Sequence, residues 1–161
     1  MTLHPLVQPL ESIIGTWKGS GRGDFPTISG FTYSETITFA AMPGKPFLRY
    51  EQKTASPGGD PMHTELGFLR PVGEGRLEFV IAQPTGQTEL LEGMIDDAED
   101  GTLRLHFDRS QVVNSATAKT VDATTRTYTF TAERDAVVTE FHMAAVDQPM
   151  QQHLVSELTR A

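Results

Sequence analysis

Hydrophobic and polar residues alternate with a period of two along several short segments of the chain. In FTYSETITFA (31–40), every second residue from Phe31 is aromatic or aliphatic, apart from Glu35, and threonine or serine fills most positions between. The same alternation recurs in TLRLHFD (102–108), TRTYTFTA (125–132) and VVTEFHMA (137–144). Because successive side chains of a strand point to opposite faces, this pattern predicts half-buried β-strands.

Glycine, proline and aspartate cluster between these segments and predict tight turns. Counting the segments that they separate gives about ten strands at the close spacing typical of a sandwich or barrel. Only Leu10 to Ile14 has the pattern of a helical turn, ahead of the first strand. We predict one all-β domain over residues 1–161. The turn signals are Pro43-Gly44 and residues 56–61, 73–75, 96–101 and 133–135.

Short turns throughout favour a meander, in which each strand pairs with the next one along the chain. A meander of this many strands either closes on itself or leaves exposed edges that invite aggregation. We therefore predict a ten-stranded antiparallel up-and-down β-barrel of the lipocalin type. A closed barrel slightly larger than eight strands has room for a ligand inside.

Composition narrows the possible functions. The chain contains no cysteine, which excludes disulfides, thiolate metal sites and cysteine nucleophiles and fits a reducing cytoplasm. A net charge of −8 argues against nucleic-acid binding. The N-terminal segment has no basic start typical of a secretory signal. No apolar run approaches the roughly 20 residues of a membrane helix, so we expect no membrane partner.

Few residue patterns point to chemistry. The segment GSGRGDF (19–25) lacks the following helix that phosphate binding requires, and its glycines are better explained by close backbone approach. His63 and Glu65 share a strand face, which leaves a metal or acid–base role open, although pairing on the surface of the strand is favoured. His4, His106 and His142 are expected to face solvent. His153, at the start of the final strand, is not assigned by its spacing alone.

The segment IIGTWKGSGRGDFPTISGFTYSETITF resembles the nitrobindins, a family of small haem-binding β-barrels. The similarity continues through GKPFLRYEQKT, PMHTELGFLRPVGEGRLEFVIAQPTG and MAAVDQPMQQHL, and so extends over nearly the whole chain. The family motif Gly-x-Trp-x-Gly-x-Gly is matched by Gly15, Trp17, Gly19 and Gly21, and is followed by Pro26-Thr27-Ile28 and by the strand segment 31–35.

This resemblance implies a ten-stranded barrel that holds one ferric haem b per chain near an open end. The histidine of the C-terminal Q-P-x-x-x-H-L segment, His153, is the implied iron ligand. Met62 and His63 are adjacent, so a regular strand would not point both inward, and a bulge or strand start near Pro61 is expected. The residues that the resemblance implies around the haem are Thr27, Met62, His63, Gln83 and Met143. Charge alone makes Lys119 and Arg126 candidate propionate partners, but surface placement is favoured for both.

The implied activity is isomerisation of peroxynitrite to nitrate, with reversible binding of nitric oxide. It needs an open iron site and no acid–base dyad, so no catalytic residue is predicted beyond the haem iron. Two alternatives remain open: a non-catalytic carrier or sensor of nitric oxide or haem, and a lipocalin-like carrier of an apolar molecule. The expected partners are small molecules, and the expected assembly is a monomer or a homodimer.

Overall fold

Strands account for most of the chain in the computed structural model, which describes residues 2–161. A 3-10 helix, Pro5–Ile13, precedes them. The ten strands are β1 (Gly15–Phe25), β2 (Ile28–Ala41), β3 (Leu48–Ala55), β4 (Pro61–Gly73), β5 (Arg76–Ala82), β6 (Gln87–Asp97), β7 (Leu103–Asn114), β8 (Val121–Phe130), β9 (Ala136–Ala145) and β10 (Gln148–Arg160).

Each strand pairs antiparallel with its neighbours in sequence, and β1 pairs with β10 to close the barrel. The closing register runs from Trp17 opposite Arg160 to Gly23 opposite Leu154. The predicted ten-stranded up-and-down barrel is therefore confirmed. Closure pairs the first and last strands, which would otherwise present unpaired backbone groups to solvent.

The alternation in the sequence identifies the inner faces of the strands. Leu103, Leu105 and Phe107 of β7 are all buried, as are Tyr128 and Phe130 of β8. One half of the barrel interior is filled by such side chains, whose aromatic rings contact one another at centroid distances of 4.8 to 6.3 Å. This half is a packed apolar core. Its central rings are Phe39, Tyr50, Phe79, Phe107 and Tyr128.

The 3-10 helix covers the end of the barrel at which β1 begins. Its buried residues Val7, Leu10 and Ile13 join the core. The helix starts earlier than the predicted turn, because His4 caps it by accepting a hydrogen bond from the Leu6 amide at Nδ1 (3.2 Å). Among residues 2–161, no helix combines the length and apolar character that crossing a bilayer requires.

Trp17 fixes this helix to the barrel. Its side chain is fully buried, and its Nε1–H donates a hydrogen bond to the carbonyl oxygen of Ile13 at 3.0 Å. Phe130 packs edge-on against the ring at 5.0 Å, and the Arg160 guanidinium lies 4.3 Å from the ring centroid. Gly19 lets β1 approach β10, because a Cβ there would lie 2.0 Å from the carbonyl oxygen of Glu157.

Trp17→Ala should lower the free energy of unfolding by about 3–5 kcal/mol, because it leaves a large cavity and removes a buried hydrogen bond. Denaturant melts followed by far-ultraviolet circular dichroism measure the loss. Val113→Ala, at an exposed position on β7, is the control and should leave the midpoint nearly unchanged. A Trp17→Ala midpoint equal to that of the control would show that the ring does not hold this end of the barrel together.

Candidate functional site

A cavity of about 540 Å³ occupies the other half of the barrel. Side chains of the turns β1–β2, β5–β6, β7–β8 and β9–β10 line its rim. Because these turns lie at the end opposite the 3-10 helix, the cavity opens where the helix does not cover the barrel. Its volume lies within the range of about 300–1,000 Å³ that is typical of sites for small molecules and cofactors.

The six residues assigned by the family resemblance all line this one cavity. Three strands and two turns contribute them, so only the closed barrel brings them together. They are Thr27 in the β1–β2 turn, Met62 and His63 at the start of β4, Gln83 in the β5–β6 turn, Met143 on β9 and His153 on β10.

An irregularity at the start of β4 lets Met62 and His63 line the same cavity. His63 pairs with Thr54 of β3, but the next residue of β3, Ala55, pairs with Pro61, so Met62 is the extra residue of a bulge. The side chains of Met62 and His63 therefore do not point to opposite faces of the strand, as consecutive side chains of a regular strand would. The predicted bulge near Pro61 is confirmed.

A second bulge positions His153. Gln152 pairs with His142 of β9 and Leu154 pairs with the next residue, Phe141, so His153 is the unpaired residue between them. Its imidazole Nδ1–H donates a hydrogen bond to the backbone carbonyl oxygen of Asp24, at 3.0 Å. This bond fixes the orientation of the ring and leaves Nε2 as the nitrogen with a free lone pair.

Aromatic rings surround the His153 imidazole. Phe25, Phe31 and Phe141 lie with their ring centroids 5.4, 6.3 and 6.1 Å from it. Burial lowers the pKa of His153 below its ordinary value of 6.5, against the opposing effect of the bond to Asp24. The imidazole is therefore held neutral, which is the form that binds a metal ion.

Beneath the cavity lies a layer of buried polar side chains, which we call the polar floor: Glu35, Gln52, Glu65, Glu89 and Arg126. Arg126 donates to both carboxylate oxygens of Glu65, at 2.8 and 2.9 Å. It also donates to both oxygens of Glu89, at 2.7 and 2.9 Å. The favoured surface placement of Arg126 is wrong, because two carboxylates from β4 and β6 compensate its charge inside the barrel.

These ion pairs set the charges of the floor. Burial opposes ionisation of Glu65, but the Arg126 guanidinium outweighs it and holds the pKa of Glu65 well below its usual range. Burial lowers the pKa of Arg126, but Glu65 and Glu89 outweigh this effect and raise the pKa above its ordinary value. Glu65 and Arg126 are therefore both charged at neutral pH.

Glu35 differs because, among residues 2–161, no cation forms an ion pair with it. Its Oε2 accepts hydrogen bonds from Ser156 Oγ at 3.1 Å and from Gln52 Nε2 at 3.4 Å. Burial raises the pKa of Glu35 from 4.5 to about 7, although the Ser156 bond opposes the shift. Ser156 also bonds Tyr33, whose hydroxyl lies 2.8 Å away. Gly21 leaves space for this pair, since a Cβ there would lie 2.4 Å from Ser156 Oγ.

His63 and Glu65 form a pair inside the barrel. The His63 Nε2 lies 3.4 Å from a carboxylate oxygen of Glu65, which is buried. The favoured interpretation of a pair on the strand surface is therefore wrong. His106 bonds Thr127 at 2.8 Å and lies outside the cavity lining, as does His142. Within the described chain, no group of three or more metal-ligating side chains is found.

Two of these buried charged residues carry a signal in the sequence. Arg126 occupies the same alternating face as Tyr128 and Phe130, and Glu35 shares a face with Tyr33 and Ile37. Their inward orientation could be read from this spacing. Glu89 is identified only by its pairing with Arg126 in three dimensions. Lys119 is exposed and lies at the cavity rim.

Comparison with known proteins identifies close relatives of this barrel. A family model described as the THAP4-like, heme-binding beta-barrel domain matches residues 6–160. A Nocardia farcinica protein named peroxynitrite isomerase is 42% identical over 161 residues, with 99% of this chain and 94% of the relative covered. A Mycobacterium avium protein named peroxynitrite isomerase 2 is 41% identical over 159 residues, with 98% and 96% covered.

The similarity extends to three dimensions. The crystal structure of Rv2717c from M. tuberculosis superposes with a TM-score of 0.93 at 37% sequence identity, and the match covers 99% of both chains. The barrel and its connections are therefore shared along the full length of the two proteins.

Glu35→Gln should change the pH dependence of stability. The raised pKa means that the folded protein binds a proton at Glu35 more tightly than the unfolded chain does. This contribution is fully present below pH 4.5 and is lost as the pH rises through about 7, by on the order of 3 kcal/mol. Relative to the parent, the glutamine variant should therefore gain stability between pH 5 and pH 8.

Urea melts of both proteins across this pH range measure the difference. Glu157→Gln, at the exposed position after Ser156, is the matched control and should show a pH-independent difference from the parent. If the stability difference between Glu35→Gln and the parent is equally independent of pH, the pKa of Glu35 is not raised in the folded protein.

Proposed function

Because the chain belongs to the THAP4-like, haem-binding β-barrel family, we propose that it binds one haem b in the open-end cavity and isomerises peroxynitrite to nitrate there. The observation that carries the proposal is the neutral imidazole of His153, oriented by Asp24 and enclosed by aromatic rings. The names of the relatives from Nocardia and Mycobacterium support the choice of substrate.

The residues of the cavity fit a haem group. Aromatic and aliphatic side chains form a large part of the wall beside His153, as the apolar faces of a porphyrin require. Among the described residues, His63 is the other imidazole in the lining, but it lies against the polar floor beside Glu65, whereas His153 lies among the aromatic rings and presents its free Nε2 lone pair there. The apolar wall is formed by Phe25, Ile28, Phe31, Phe141, Met143 and Leu154.

Lys119 is the better candidate to pair with the propionates. It is exposed at the rim of the cavity, where carboxylates that reach toward solvent would meet it. Arg126, in contrast, has its guanidinium occupied by two carboxylates of the polar floor and lies beneath the cavity. A third carboxylate there would add an uncompensated negative charge.

The reaction rearranges peroxynitrite without net gain or loss of atoms or electrons: a peroxo O–O bond breaks and a new N–O bond forms. Bound ferric haem would supply a Lewis acid for the peroxo oxygen. The chain supplies the rest. His153 donates its Nε2 lone pair, the Asp24 carbonyl keeps the ring in the required tautomer, and the aromatic wall limits access of water to the reacting fragments.

Reversible nitric oxide binding follows from the same arrangement. With His153 as its protein ligand, a bound haem would still be able to take up a small diatomic molecule. Storage or sensing of nitric oxide is thus the second candidate function. The rate of peroxynitrite decay separates the two candidates, because a carrier binds without turnover.

Purified protein loaded with one equivalent of haem should accelerate peroxynitrite decay and increase the yield of nitrate. Stopped-flow absorbance measures the decay, and ion chromatography measures the nitrate. Haem-free protein is the control. Equal decay rates for the two forms, with nitric oxide still binding to the loaded form, would support the carrier instead.

His153→Ala should abolish tight haem binding while the barrel stays folded, because the ring lies at a bulge and holds no strand pairing of its own. Titration of the haem-free protein, followed by the Soret absorption, measures the affinity. His106→Ala and His142→Ala are matched controls and should bind haem as the parent does. If His153→Ala keeps the parent's spectrum and affinity, the ligand assignment is wrong and His63 becomes the next candidate.

A further inference from the structure

A carboxylate–imidazole pair lies inside the cavity, at a place where the proposed reaction does not require one. His63 and Glu65 project from the same face of β4, and their side chains meet at 3.4 Å between Nε2 and Oε2. The exposed fraction of the side chain is 26% for His63 and 7% for Glu65. The imidazole therefore lines the cavity, and the carboxylate lies beneath it in the polar floor.

The polar floor keeps Glu65 in its ionised, accepting form. Both terminal nitrogens of Arg126 donate hydrogen bonds to Glu65, and the Tyr50 hydroxyl donates a hydrogen bond to Oε1 of Glu65 at 2.9 Å. Glu89 accepts hydrogen bonds from Nε and Nη2 of Arg126 and so fixes the guanidinium in place. A carboxylate that can only accept hydrogen bonds requires the facing nitrogen, Nε2 of His63, to carry a hydrogen.

This arrangement determines which nitrogen of His63 serves the cavity. With the hydrogen on Nε2, the neutral ring has its lone pair on Nδ1, which is a proton acceptor. The ionised Glu65 would also stabilise the imidazolium after the proton has arrived. The other ionisable groups that line the cavity are Tyr33 from β2, Glu89 from β6, Lys119 from the β7–β8 loop and His153 from β10.

We propose that His63 is a catalytic base that takes the proton from a weak acid entering the cavity, and that Glu65, held by Arg126, is the residue that positions it. For the proposed function, on which this inference rests, the acid is peroxynitrous acid. Its O–H proton moves to Nδ1 of His63, which leaves the peroxynitrite anion for isomerisation. When nitrate departs, the imidazolium returns the proton to water, so charge and atoms balance.

The tautomer of His63 tests the positioning role without haem. Nitrogen-15 spectra of the haem-free protein should show His63 as the Nε2–H tautomer at neutral pH, with its signals identified by their loss in His63→Gln. Glu65→Gln should convert this signal into a mixture of tautomers, because a side-chain amide can donate as well as accept. A parent signal from the Nδ1–H tautomer, or from a doubly protonated ring, would overturn the proposal.

Ligand binding to the loaded protein tests proton transfer separately from isomerisation. Hydrogen cyanide is a neutral weak acid that loses its proton when it binds ferric haem, whereas nitric oxide binds without losing one. His63→Gln should slow cyanide association by about 100-fold and leave nitric oxide association unchanged. His142→Gln, an imidazole removed outside the cavity, is the matched control and should change neither rate.

The outcomes separate this inference from the proposed function. If His63→Gln associates with cyanide at the parent rate while the parent still isomerises peroxynitrite, His63 is not a catalytic base, and the proposed isomerase function is unaffected. If His63→Gln slows cyanide binding but the parent does not isomerise peroxynitrite, His63 is a base in this cavity, and peroxynitrite is not the substrate. Should Glu65→Gln fail to fold, the parent spectrum and the His63→Gln rates decide the question.

Discussion

The buried contact of Arg126 with Glu65 and Glu89 is the constraint around which this barrel is organised. It connects β4, β6 and β8 across the lumen, and it places charge where a barrel interior would otherwise be apolar. Removing Arg126 would leave the buried Glu65 and Glu89 side chains without the cation between them, which costs several kcal/mol. The contact also divides the interior, because apolar packing extends up to it from one end and the cavity begins above it.

The two halves of the barrel have different tasks. Below the polar floor, aromatic packing and the 3-10 helix supply the stability that closing a barrel requires. Above it, two bulges interrupt the regular alternation and direct Met62, His63 and His153 inward. A ligand cavity costs apolar contacts, and the dense half of the same barrel offsets that loss.

The sequence predicted the architecture well, because period-two alternation reports directly which face of a strand is buried. The inward positions of Leu103 and Tyr128 follow from this alternation. Closure of the barrel was predicted from the short turns between the strands. The same alternation places Arg126 on the inner face, but it does not identify the carboxylates of β4 and β6 that accompany the buried charge, because only closure of the barrel brings the three strands together. The bulge at His153 was not predicted from its spacing either. The family resemblance, rather than spacing, indicated this residue.

The bond between His153 and Asp24 joins residues 129 positions apart in the chain, across the seam where the first and last strands meet. The two residues can meet only where β1 pairs with β10. The imidazole is therefore oriented for a ligand only after the barrel has closed. A cofactor that recognises the oriented ring selects closed molecules over open ones, and each binding event stabilises the seam by mass action. Binding of the cofactor would then depend on a completed barrel.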